Sequence, residues 1–456
     1  MSVQTQHRAR TLVLALASVS QFMVILDASI VNVALPSIQR DLDFGGTGPA
    51  WVVNGYLLSF AGFLLLGGRA ADLIGRRRLL VAGLATFAAA SLVAGLATTP
   101  EVLVGARVVQ GVGAAMLAPA TLAVLNTTFT DPQERARAFG AWSAAGGVGG
   151  VSGALAGGAI TTGLSWRWVF LINVPIGAAL IAVALVSLPG IRPVRRTSLD
   201  AAGAVTATVG LAAAIYGVMQ SADHGWTSPR VVGPLVGGLV LLVAFVVIEA
   251  RVAAQPMLPL RLFGSRRVAV GAVMLLLFGG IAIALWYFSS LFLQDVLGYS
   301  ALRAGLAQTP AAVAFVMVAR LAAGLLPRVG VRPLILAGAV LFLAGFGWLS
   351  QAGDGSSGGY VGAVLAPMLL IAGGIGLTFP TLMANATAGA PDADAGIVGG
   401  LANTASQVGG AVGLAVLTTV AGSPADYGRV FLVAAALGSA IALVSAFLPR
   451  SPEEEL

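Results

Sequence analysis

Apolar residues run through this chain in stretches of about 18 to 25, separated by short polar turns, from one end to the other. A soluble core helix sets an apolar stripe against a polar face, whereas these stretches are apolar all round. The pattern predicts about fourteen membrane-spanning helices, at roughly 11–35, 49–67, 79–98, 101–125, 137–161, 166–188, 198–219, 231–249, 267–293, 301–325, 332–350, 360–384, 395–421 and 427–448. The first, Thr11–Leu35, could pass for a signal peptide. It is long enough to span, carries an acid and is followed by many further spans, so it reads as a helix of an all-α polytopic membrane protein.

The spans echo one another. Pro132-x7-Gly140 precedes Gly149-Gly150-x2-Gly153, and Pro391-x7-Gly399 precedes Gly409-Gly410-x2-Gly413. Gly111-x-Gly113 with Pro119 has a looser echo in Gly374-x-Gly376 with Pro380. Parallel repeats about 260 residues apart are the internal symmetry of a secondary transporter. The expected organisation is a six-helix bundle over 1–190, two inserted helices with linkers over 191–255, and a second six-helix bundle over 256–456.

Composition sharpens the class. Charged residues are 9% of the chain, against about 25% in soluble proteins. The net charge of +7 lies in arginine clusters between spans and not in a basic domain, so nucleic acid is not an expected partner. With the N-terminus inside, about 19 arginines fall in cytoplasmic segments and about 5 outside, leaving Arg107 within a span. This places both termini in the cytoplasm, and the all-arginine, Ala/Gly-rich composition points to a high-GC bacterial genome and so to an inner membrane. Cysteine is absent, which excludes a disulfide framework or a thiolate metal site. Every lysine-or-arginine position is arginine. Without lysine there is neither a Walker A loop nor Schiff-base chemistry, so no cofactor is expected and an ion gradient is the energy source that remains.

A charge in the bilayer costs at least about 2.5–3.5 kcal/mol on insertion scales, so Arg107 needs a partner. Asp27, on helix 1, is the one acid well inside a span. Counted from the outer helix ends, the two differ in depth by about 5 Å. Loss of water favours the neutral acid and a neighbouring guanidinium favours the anion, so an acid held between them can take up and release a proton. Gln110 shares the face of Arg107, and a polar strip facing a water-accessible cavity is expected. The bland alternative is a fixed ion pair that only orients helices 1 and 4.

Three further sets stand out. Between helices 2 and 3, Gly68, Asp72, Gly75, Arg76, Arg77 and Arg78 read as a cytoplasmic latch, with Asp72 capping helix 3 and pairing with arginines. On helix 5, Gly140, Gly149, Gly153, Gly157 and Gly158 make a smooth face on which another helix can slide. Candidate cavity residues are Asn32, Gln110, Met116, Trp286, Tyr287, Gln294, Asn403 and Gln407; an aromatic cluster such as Trp286–Phe288 also fits plain packing.

These motifs resemble the major facilitator superfamily, in its fourteen-helix drug:proton antiporter branch, across almost the whole chain. Leu26-Asp27-x-Ser29-x2-Asn32-Val33-Ala34-Leu35-Pro36 resembles the helix-1 motif of that branch. Gly68 to Arg78 resembles the loop 2–3 motif, with Leu73 where arginine is usual. Leu103-x3-Arg107-x2-Gln110-Gly111-x-Gly113-x-Ala115 matches the helix-4 motif, which implies a part for Arg107 in proton transfer. The helix-5 glycines have the antiporter spacing, with Ala154 where the motif has proline. Trp166 to Gly177 and Leu293-Gln294 through Gly305 are also similar to the branch. The resemblance implies the major facilitator fold, two six-helix bundles plus two extra helices, and a monomeric exporter that exchanges amphiphilic drugs or antibiotics for protons, surrounded by membrane lipid. A lipid or siderophore exporter, a uniporter, a membrane-embedded transferase and a non-transporting sensor are the alternatives.

Overall fold

The computed structural model of the chain describes residues 3–45, 48–188, 200–253, 256–351, 359–388, 395–422 and 426–449. Among them there is no strand. The helices are α1 (Val3–Asp41), α2 (Gly48–Ile74), α3 (Arg76–Gly95), α4 (Pro100–Thr128), α5 (Pro132–Gly163), α6 (Trp168–Ser187), α7 (Ala201–His224), α8 (Pro229–Val252), α9 (Arg266–Val296), α10 (Ala301–Val329), α11 (Val331–Leu349), α12 (Val361–Ala386), α13 (Ala395–Ala421) and α14 (Tyr427–Ser445). Among the described residues, twelve helices are long and apolar enough by composition to cross a membrane. The predicted spans at α2 and α5 lie outside that set, and the count of fourteen remains an expectation.

Local sequence explains where the helices start and stop. Thr99 and Asp131 accept hydrogen bonds from the first-turn N–H groups of α4 and α5, and a proline follows each at the first helical position. Between α2 and α3 the chain turns at Gly75, whose φ of 89° suits glycine. Asp72 therefore lies in the last turn of α2 and not at the head of α3, whose cap Gly75 offers no side chain.

The order of packing repeats. In the first half α1 lies along α5, α4 packs on α2 and α3, and α3 packs on α6; in the second half α9 lies along α13, α12 packs on α10 and α11, and α11 packs on α14. Two seams join the halves, α5 with α10 and α2 with α13, and they exchange under the same correspondence. The inserted pair α7–α8 lies against the α2–α13 seam through α7.

The sequence echo is a packing echo. A Cβ on Gly149 would meet the Phe22 carbonyl of α1 at 2.7 Å, and one on Gly409 would run into the Leu276 carbonyl of α9. Gly153 and Gly157 continue the α1 contact at Ser29 and Ile30, and the Ser29 hydroxyl donates to the Gly150 carbonyl at 2.8 Å. Gly140 has nothing within 4 Å, so it does not belong to this face, and Gly158 points across the seam to Ala301 of α10.

Gly409→Ala is expected to destabilise the protein by about 1–3 kcal/mol or more, because backbone occupies the space its methyl needs. Gly237→Ala, open around its Cβ, is the control and should leave thermal unfolding in detergent unchanged.

Candidate functional site: a buried charge network

Asp27 sits at mid-helix on α1, where the glycine face of α5 lets the two backbones meet and α4 and α6 close the other sides. Arg107 on α4 donates through Nη1 to Asp27 Oδ2 at 2.6 Å. Gln110, one turn further along α4, donates from Nε2 to Asp27 Oδ1 at 2.7 Å, and Asn173 of α6 donates to the same oxygen at 2.8 Å. An ionised carboxylate is acceptor-only, and here both oxygens are engaged by protein donors.

Arg107 is satisfied in turn. Its Nε donates to the Val52 carbonyl of α2 at 2.9 Å, its Nη1 also donates to Gln110 Oε1 at 2.6 Å, and the guanidinium lies 4.3 Å from the Tyr56 ring centre. Gln110 Nε2 makes a further bond to Ser91 Oγ of α3 at 2.9 Å. One network thus ties α1, α2, α3, α4 and α6. Gly111 and Gly113 let α4 approach α2 at Tyr56 and Ser59, and α3 at Phe87, closely enough for this.

The pair is sealed. Asp27 is 0% and Arg107 1% exposed, which corrects the expectation of a water-accessible position in this conformation. The physical reason is that three amide and guanidinium donors do the work that water would otherwise do. The sequence drew attention to the two charges and Gln110. Asn173, Ser91 and Tyr56 were not among the candidate site residues; a buried amide in an otherwise apolar span was the available signal for Asn173.

The other candidates disperse. The Asn32 carbonyl accepts from Ser290 Oγ of α9 at 3.2 Å, and Gln294 donates to the Val33 carbonyl at 3.1 Å. With Leu302 N–H donating to Thr162 Oγ1 at 3.3 Å, these bonds join the halves at the end of the bundle where α1 gives way to α2. Around them α9 widens into π-helical turns at Ala284–Phe288 and Phe292–Val296. Tyr287 is buried against Phe288 at 4.9 Å between ring centres, Trp286 is half-buried, and Met116 has its Cβ beside Gly83 of α3. Asn403 and Gln407 are half-buried on α13.

In the latch segment Arg77 donates to the Leu185 carbonyl at the end of α6 at 2.8 Å, Arg76 and Arg78 are exposed, Gly68 approaches Pro119, and the Asp72 side chain lies outside what is described. The segment braces α3 on α6 within one half. At the opposite end, Asp41 accepts from Arg167 at 2.6 Å and from Trp166 at 2.9 Å, tying α1 to the α5–α6 turn.

Removing one partner of a buried pair strands the other, at about 3–5 kcal/mol. Arg107→Ala should therefore lose stability on that scale, and adding Asp27→Asn to it should restore part of the loss. A double-mutant cycle on thermal or denaturant unfolding measures the coupling.

A sequence model of the Major Facilitator Superfamily matches residues 17–414. The chain is 45% identical over 451 residues to the cephamycin export protein CmcT of Amycolatopsis lactamdurans, covering 96% of this chain and 92% of that one. It is 41% identical over 422 residues to the puromycin resistance protein pur8 of Streptomyces alboniger, covering 90% and 81%. To the lincomycin resistance protein of Streptomyces lincolnensis it is 34% identical over 465 residues, covering 99% and 93%. Among solved structures it overlays on the POT family transporter PepTSo with a TM-score of 0.72 at 14% identity, covering 96% and 97%, a likeness of fold alone. With its paired half-bundles and a relative aligned over nearly its full length, the chain belongs to the major facilitator superfamily.

Proposed function

We propose that the protein exports amphiphilic drugs or antibiotics from the bacterial cytoplasm in exchange for protons, with Asp27 as the proton carrier and Arg107 as its counter-charge. The observation that carries this is the sealed network itself: a lone carboxylate deep in a span, held by three donors, changes those bonds if it is protonated. The relatives named for cephamycin, puromycin and lincomycin support antibiotics as the cargo class and argue against a transferase. With Arg107 offsetting Asp27 the interior is nearly neutral, which suits a neutral, zwitterionic or monocationic substrate.

The arginine distribution supports a cytoplasmic side for both termini. On that orientation the Ser290, Gln294 and Leu302 bonds lie on the outer side, between the two halves. A proton arriving from outside weakens the pair with Arg107 and shifts the balance between the two facings. Substrate biases the same balance only by binding the two states unequally. One proton crossing 100 mV supplies about 2.3 kcal/mol, roughly fiftyfold accumulation of a neutral substrate exchanged one for one. On this reading the carrier acts as a monomer in lipid, and Asn32, Gln294, Asn403 and Gln407 are the side chains that would meet cargo.

In everted vesicles loaded against a panel of dyes and antibiotics, the wild type should show uptake that dissipates the proton gradient when substrate is added. Asp27→Asn should abolish gradient-driven transport while substrate still binds. Full uptake in Asp27→Asn refutes the proton-carrier role, and uptake without proton flux points to a uniporter.

A further inference from the structure

We infer that Asn173 is the positioning residue that lets Asp27 exist in two charge states, by turning its side-chain amide end for end. The inference rests on Asp27 being the proton carrier. A proton on Asp27 Oδ2 would weaken the charge-assisted bond that this oxygen accepts from the always-protonated Arg107 Nη1 at 2.6 Å. On Oδ1 the proton meets two N–H donors, from Gln110 at 2.7 Å and Asn173 at 2.8 Å. A neutral acid is a donor there and needs an acceptor.

The two amides differ in what holds their other ends. Gln110 is pinned: its Oε1 accepts from Arg107 at 2.6 Å and its Nε2 donates to Ser91 at 2.9 Å. Turning it would set an NH2 group against a guanidinium. Asn173 is fully buried, and its Oδ1 has no hydrogen-bond partner among the described residues. Half a turn about its terminal side-chain bond exchanges two groups of nearly the same shape. The NH2 that serves the carboxylate is replaced by the C=O that accepts from the acid. The step balances: one O–H bond forms at Oδ1, no other covalent bond changes, and the proton leaves when the amide turns back. The charged and titratable groups facing Asp27 are Arg107 from α4 and, beyond it, the Tyr56 phenol of α2. Along α5 the described contacts beside Leu26 and Ser29 are Gly149, Gly150 and Gly153.

Infrared difference spectra between high and low pH, on the purified full-length chain in lipid nanodiscs, test this. Asp27→Asn identifies the bands of the acid. Acidifying the wild type should produce a protonated-carboxyl band at the lowered frequency of an acid donating a strong hydrogen bond, with an asparagine side-chain amide band moving alongside it. In Asn173→Leu the carboxyl band should rise towards the frequency of a free acid. Its midpoint should hold within about half a pH unit, because both charge states lose a partner. A fixed donor predicts the reverse: an unmoved carboxyl band and a midpoint displaced by about one unit or more. That result overturns the inference, as does a stationary asparagine band in the wild type, which needs no variant to fold. If no titrating band disappears in Asp27→Asn, the proton-carrier reading itself fails and this inference with it.

Discussion

A carboxylate taken out of water keeps its charge only while protein groups stand in for the hydration shell. For Asp27 those groups come from two helices, Arg107 and Gln110 on α4 and Asn173 on α6. Arg107 and Gln110 in turn reach α2 at Val52 and α3 at Ser91. Five helices of the first half are therefore joined through one oxygen pair. The second half, among the described residues, buries no charged side chain within its spans and carries neutral amides and hydroxyls such as Gln308, Thr378 and Asn385. The two repeats share a packing plan but not an electrostatic one.

Glycine makes that plan possible. Close backbone approach at Gly149 and Gly153 brings α1 onto α5 at the level of Asp27, and the corresponding approach at Gly409 and Gly413 brings α9 onto α13. Across the seam, Gly158 meets Ala301 and Gly305 meets the Ala154 carbonyl, so the halves touch backbone to backbone. Such contacts are held by dispersion and fit, not by strong directional bonds. Two halves joined this way can rock without breaking an extensive polar interface.

Much of this was legible in the amino-acid order because bilayer burial writes its signal in single residues. A charge in an apolar run demands a partner, and only Asp27 and Arg107 were deep enough to answer each other. Glycine spacing also showed which helix faces were smooth, though not what lay on them: Gly140 fits the spacing yet faces open space. Asn173 stayed hidden because a neutral amide can be absorbed in a span in many ways, and its role depends on where α6 passes α1. The latch was misread at Asp72 because Gly75, with its positive φ, moves the start of α3 three residues further on. Hydropathy alone also falls short at α5, where small residues replace large apolar ones: that helix is made to touch other helices more than lipid.

The inserted helix α7 reaches both halves at nearly the same height. Asn54 of α2 donates to the Met219 sulfur at 3.2 Å, and Thr419 of α13 donates to the Val218 carbonyl at 3.1 Å. Neighbouring residues of one helix thus bond to both sides of the α2–α13 seam, and the Tyr216 ring adds a contact to Trp51 of α2. Any opening of the α2–α13 seam must therefore part α7 from one of the two helices that it holds together.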